Sequence, residues 1–206
     1  REQDHQMMTL RRFLRQRQVE QRLSLRVTRY VRTRMRMKQT LSNISEEEVS
    51  ALELLSSSLT TELRFAIFRL HLGRHPLFGL WITLEPVPAK HLCANYARFQ
   101  LLQPEDELFQ VDTQGFCAYY LTSGQLKYAI PGAAGRTPMR WVIHEEQWIS
   151  EAALWTHWVH VGTCVASSHS QLLVVDAEGV LAAMRKHSFI EDFTDWYAEV
   201  FHRRLI

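Results

Sequence analysis

The side chains with the most obvious chemistry fall late in the sequence, where His157, His160, Cys164 and His169 follow one another closely. Imidazoles and thiolates at such spacing are potential metal ligands, but no paired-cysteine spacing and no carboxylate completes a four-donor set. The pattern predicts hydrogen-bonded structural histidines instead. Cys93, Cys117 and Cys164 are odd in number and widely spaced, which fits buried free thiols better than a disulfide framework. No Gly-x-Ser-x-Gly elbow, phosphate-cradling glycine loop or His-Glu-x-x-His helix occurs, and no nucleophile sits near an evident base, so no enzyme is expected. The other conspicuous chemistry is charge: 12 of the 24 Lys and Arg residues lie within residues 1–38, against three acidic residues there, Glu2, Asp4 and Glu20. A solvated helix face is the commonest meaning of such a run. Nucleic-acid binding is less favoured, because few aromatics beyond Phe13 and Tyr30 interleave the arginines.

The elements that must position these residues can be read from periodicity. With 206 residues, 46% hydrophobic and 22% charged, the chain has the profile of a folded protein. No run reaches the roughly 18 apolar residues of a membrane-spanning helix, and the basic start has no signal-peptide character, so the chain as given is expected to be soluble. Apolar residues at Leu10, Leu14, Val19, Leu23, Val27, Tyr30 and Val31 follow the helical period and predict two helices or one interrupted helix over Met7–Lys38. Ser45-Glu46-Glu47-Glu48 has the form of a capping box opening a helix through Leu55. Leu59, Leu63, Ile67 and Leu70 predict another, ending near Gly73.

After Phe78, prolines and glycines divide the chain into short segments rich in β-branched and aromatic residues. Strands are predicted at Tyr96–Leu102, Glu107–Val111, Phe116–Thr122, Gln125–Ile130, Met139–His144, Val161–Ala166 and Gln171–Val175. Helical spacing returns over Asp176–Lys186 and Phe189–Leu205, the last with an aromatic face that includes Phe193, Trp196 and Tyr197. The reading is an α+β chain, helices 1–78 followed by a β-roll and closing helices over 79–206.

Several segments resemble a known pattern. Phe13–Val19 through Tyr30-Val31 resembles the first helices of the C-linker of voltage-gated channels in the ether-à-go-go, hyperpolarization-activated and cyclic nucleotide-gated superfamily. Leu59–Leu63 through His75-Pro76-Leu77-Phe78 is similar to the helix and corner that lead into their cyclic-nucleotide-binding domain. Arg98–Asp106 is similar to the strand and turn ending in Pro-Gly-Asp, with Glu105 in place of the glycine, and Tyr119–Gly124 to the strand and glycine turn that follow. Ile149–Leu154 stands where the family's phosphate-binding cassette reads Phe-Gly-Glu. The resemblance implies a helical C-linker followed by a jelly-roll-like cyclic-nucleotide-binding β-roll, at the cytoplasmic face of a membrane in a tetrameric cation channel, with potassium the expected ion.

It also implies the site. The cassette positions are Ser150, Glu151, Ala152, His160, Val161 and Thr163. Glu151 keeps the family glutamate that accepts a ribose hydroxyl, while Ser150 replaces a glycine. The arginine that holds the cyclic phosphate falls on His160, or on Gly162 in a gapped register. Neither supplies a permanent charge, and losing such a contact costs roughly 1.5–3 kcal/mol, about tenfold to more than a hundredfold in affinity. With Trp155 and Trp158 adding bulk, the roll is expected to bind no cyclic nucleotide and no cofactor. The implied partners are three further subunits, met through the C-linker, with Glu46-Glu47-Glu48 facing a neighbour's arginines. Anionic lipid is a lower-ranked partner for those arginines. His202–Ile206 is a candidate intrinsic ligand for the pocket. The competing reading is a soluble regulator of the kinase-regulatory-subunit or transcription-regulator kind, although no helix-turn-helix follows the last helix.

Overall fold

The first helical stretch breaks in two because its turn closes on itself. Helix α1 (Glu2–Gln16) ends where Gln18 takes a left-handed φ of 53°, Gln18 N–H donates to Arg15 O and Val19 N–H to Leu14 O, each at 3.1 Å. This pair of bonds satisfies carbonyls that the helix end would otherwise leave unpaired. Helix α2 (Gln21–Thr40) follows at once. The computed structural model describes residues 2–40, 49–132, 137–185 and 187–205. The capping box at Ser45–Glu48 lies outside them, and the described part of that predicted helix, Ser50–Leu54, is a 3-10 turn.

Contacts divide the chain between Leu54 and Leu55, not near Phe78. The reason is visible in the core of the second unit, where Phe68, Leu77, Phe78 and Trp81 are almost wholly buried with Tyr120 and Leu173. Helix α3 (Ser57–Leu72) opens on Ser56, whose Oγ accepts from Leu59 N–H at 3.3 Å. Helices α4 (Pro76–Leu84) and α5 (Pro86–Asn95) occupy a stretch expected to open the β region. Pro76 and Pro86 each stand at a first helical position, where a fixed φ suits the helix and the missing N–H costs nothing. Both prolines start helices, Pro86 in a stretch expected to be divided into strands. Arg64 ties this layer to the sheet, donating to Cys93 O at 3.2 Å and Ala97 O at 2.6 Å.

The strands then follow, all antiparallel. One sheet has the order β1 (Ala97–Leu102), β10 (Ser170–Asp176), β4 (Cys117–Ser123), β7 (Trp148–Ile149). The second runs β2 (Glu107–Phe109), β9 (Thr163–Ala166), β5 (Leu126–Ile130), β6 (Met139–Ile143), and β3 (Gln114–Gly115) pairs with β8 (Trp158–Val159). The seven predicted strands are present with slightly shifted ends. The two-residue strands β3, β7 and β8 were not anticipated, being too short to show a period. Helix α6 (Ala177–Met184) starts on Asp176, whose Oδ1 accepts from Glu178 N–H at 2.9 Å, and α7 (Ser188–Leu205) closes the chain.

The sheet of β10 and β4 is covered on both faces. Ala118, Tyr120, Leu173 and Val175 point into the helical layer, while Leu121 and Leu172 point into the roll with Leu102, Leu126, Cys164 and Ala166. Strand alternation explains the split. It also explains why β10 reads as an unbroken apolar run, Leu172-Leu173-Val174-Val175, all fully buried.

Gly179 in α6 lies where an added Cβ would sit 2.2 Å from both Cβ and Cγ of Tyr96, atoms too close to their own backbone to swing aside. Gly179→Ala is expected to destabilise the second unit by about 1–3 kcal/mol, read as a lower denaturation midpoint with an unchanged slope.

Candidate functional site

The cassette glutamate gathers partners from three elements. Glu151 lies in a 3-10 turn (Glu151–Leu154) that opens on Ser150. Its Oε1 accepts from the Tyr197 hydroxyl at 2.9 Å and from Trp155 Nε1 at 3.4 Å. His75 Nε2 stands 3.0 Å from the same oxygen, within ion-pair distance but outside regular hydrogen-bond geometry. The other nitrogen of that ring, Nδ1, accepts from Leu77 N–H at 3.2 Å and so caps α4. An accepting Nδ1 has no proton, which places the ring proton on Nε2, facing Glu151. Burial pushes the Glu151 carboxyl upward, but the His75 ring, the Tyr197 hydroxyl and the Trp155 indole outweigh it and hold the carboxyl below its ordinary value of 4.5. Burial, with the bond to Glu151 second, raises the Tyr197 phenol well above its usual range.

Aromatic rings pack around this node. The His75 ring centroid lies 4.7 Å from Phe78, 5.1 Å from Trp148 and 5.8 Å from Tyr197, and Trp155 stands edge-on to Tyr197 at 5.5 Å. Trp155 therefore belongs to the helical layer, and its bulk does not fill the roll as expected from the sequence.

The remaining predicted positions have other surroundings. Ser150 takes a left-handed φ of 59°, the conformation that a glycine adopts freely, and its Oγ is buried without a partner. Ala152 is buried, and its carbonyl accepts from Trp155 N–H, Thr156 N–H and the Thr156 hydroxyl. His160 is 4% exposed and stacks on Phe109, centroids 3.8 Å apart and planes 7° from parallel. Its backbone pairs with Asp112 and Thr113. Burial lowers its pKa, which favours the neutral ring. Val161 is half exposed, and the Thr163 hydroxyl accepts from Val111 N–H at 3.1 Å. Among the described residues, the Glu151 end and the His160 end share no hydrogen-bonding or ring partner.

In the gapped register the arginine position has no room for a side chain, because a Cβ on Gly162 would meet Ala129 O at 2.6 Å and the Tyr128 ring at 2.7 Å. No arginine fits there. The thiol and imidazole cluster also separates: Cys164 lies in the roll core with its thiol pushed up to about 12 by burial, while His157 is near Gln114. Among the described residues, no group of three His, Cys, Asp or Glu side chains is placed to hold a metal. His202–Arg204, read as part of an intrinsic ligand, form the exposed last turn of α7. Sequence reading placed Tyr197 on a buried aromatic face and His75 at a helix corner. It could not see that both converge on Glu151, because they come from opposite ends of the second unit and no local spacing joins them.

This arrangement of roll, cassette turn and closing helices matches known structures. The crystal structure of the N-terminal domain of a transcriptional regulator from Streptomyces coelicolor A3(2) is 21% identical, over 65% of this chain and 90% of its own, at a TM-score of 0.54. The crystal structure of the sensor domain of the transcriptional regulator DNR from Pseudomonas aeruginosa is 21% identical, over 68% of this chain and 93% of its own, at a TM-score of 0.53. The fold is the cyclic-nucleotide-binding-type roll. No family model and no curated protein matches the chain. The reading of this roll as part of a voltage-gated potassium channel, and so of a membrane protein, is corrected here. The two structures just described come from transcriptional regulators, and no described helix is long and apolar enough to cross a membrane. The likeness supports the roll and gives no support to a channel C-linker in the amino-terminal helices.

Three substitutions test this geometry. Ser150→Gly should raise stability by about 1 kcal/mol, since it relieves a left-handed side chain and removes an unpaired hydroxyl, seen as a rise of a few degrees in Tm. Because the folded Glu151 carboxyl titrates below 4.5, its contribution is complete above that pH and is lost as pH falls through the folded value. Glu151→Gln should therefore lower Tm at neutral pH and flatten its fall in acid, and Tyr197→Phe should cost about 1.5 kcal/mol at neutral pH.

Proposed function

We propose that the chain is a regulatory domain of the sensor kind, related in fold to those of transcriptional regulators, and that it acts by a change of arrangement without catalysis. The observation that carries this reading is the commitment of Glu151 to His75 and Tyr197. A side chain that would meet the ribose of a nucleotide instead fastens the cassette turn to α4 and to the closing helix. Any signal that displaces the turn must loosen α7, and any movement of α7 must disturb the turn. A ligand or partner would act through its difference in affinity between the fastened and loosened arrangements.

The roll itself is not suited to a cyclic nucleotide. A cyclic phosphate needs a fixed positive charge and open backbone N–H groups, and a neutral His160 stacked on Phe109 occupies the arginine position. Restoring the arginine at Gly162 is blocked by β5. The regulatory input is therefore read as something other than a cyclic nucleotide.

Calorimetric titration of the full chain with cyclic AMP and with cyclic GMP should show no saturable binding up to about 100 µM. In parallel, Glu151→Gln should speed amide hydrogen exchange along α7 while leaving β10 protected. Micromolar nucleotide binding would overturn the ligand reading, and unchanged exchange in α7 would overturn the coupling.

A further inference from the structure

The amino-terminal unit contains a groove of about 570 Å³ between α1 and α2. The turn that separates the helices shapes its floor: Val19 N–H donating to Leu14 O brings those two side chains to the lining, where Leu14 is 7% exposed. Leu25 continues the apolar lining and is 63% exposed, so a large apolar side chain stands uncovered there. The walls are cationic on both sides. Arg11 and Arg15 lie one turn apart on α1, and Arg29 and Arg32 lie nearly so on α2. No carboxylate lines the groove, and among the described residues none of these four arginines is ion-paired.

Like charges on two facing walls repel one another, and Coulomb attraction is strongest for a partner that brings carboxylates to both. An apolar floor calls for an apolar stripe. A helix with apolar residues at i, i+3 and i+4 and acidic residues on either side of that stripe has both features at once. We propose that this groove is a docking site for an acidic amphipathic helix of a partner protein. Its apolar stripe lies on Leu14, Val19 and Leu25, and its carboxylates meet Arg11 and Arg15 on one side and Arg29 and Arg32 on the other. Arginine suits this task because its planar fork takes a carboxylate through two parallel bonds.

The charge pattern argues against the other occupants. A nucleic-acid backbone would use the arginines but leave the apolar floor without a counterpart. An anionic bilayer needs an outward apolar face with basic residues beside it, whereas these arginines flank a concavity. A second copy meeting the groove through its own α2 would set arginines against arginines, since α2 has seven basic residues and no acidic one.

The test uses the full chain and a fluorescent, helix-forming peptide of about 16 residues, with leucines at i, i+3 and i+4 and glutamates on both flanks. Anisotropy should report a Kd in the range of about 1–10 µM at low salt, weakening as salt rises. Arg15→Glu with Arg29→Glu should weaken it by at least about tenfold, as should Leu25→Asp, whereas Arg203→Ala on α7 should leave it unchanged. Circular dichroism should show each variant folded, and Arg15→Gln with Arg29→Gln serves if the charge reversal is not. A peptide with lysine in place of glutamate should not bind. The proposal is overturned by no binding of the acidic peptide, or by binding indifferent to the groove variants. It is equally overturned by tighter binding of phosphatidylserine-containing vesicles or of a DNA duplex at the same salt, or by self-association that the arginine variants abolish.

Discussion

A single carboxylate oxygen organises the second unit. Glu151 Oε1 is approached by a ring that caps α4, by a phenol from α7 and by the indole of its own turn. A half-buried carboxylate without such partners would bear a large desolvation cost, and with them it fixes three elements at once. The nearby Trp81 indole donating to Thr194 Oγ1 at 3.0 Å adds a second tie between α4 and α7. The closing helix is thereby held by directional bonds as well as by its apolar face, and directional bonds specify one register among several that hydrophobic burial alone would allow.

The roll interior follows a different logic, being filled by its own side chains. Leu102, Leu121, Leu126, Cys164, Ala166 and Leu172 form its buried centre, with Phe109, Tyr119 and Tyr128 packed around them. His160 joins that aromatic group through its stack on Phe109. A position that resembles a ligand anchor has become part of the packing, and the glycine beside it is kept free of a side chain by the Tyr128 ring and the Ala129 carbonyl.

Much of this was legible in the sequence, for identifiable reasons. The seven longer strands showed because alternation and turn residues are local signals, and the closing helices showed because their period is local too. Helices α4 and α5 were lost because prolines count as breakers unless they fall at a first helical turn, and only the fold reveals that Pro76 and Pro86 do. The cassette positions rest on resemblance alone, and His160 and Gly162 offer no permanent charge there. The direction of Glu151 could not, since its partners His75 and Tyr197 are remote in sequence. The channel reading went astray for the opposite reason: it extended from a recognisable roll to helices whose basic, amphipathic pattern suits many attachments.

The sheet of β1, β10, β4 and β7 has no solvent-facing side along its central strand, where consecutive residues of β10 are fully buried in alternate directions. It serves as a party wall. Protein interiors compress poorly, so a partition of this kind passes displacement across instead of absorbing it. A side chain forced outward from the roll at Leu172 presses through its neighbour Leu173 into the layer that holds Phe78 and Trp81. The two cores are in this sense one mechanical body, separated by the thickness of a single strand.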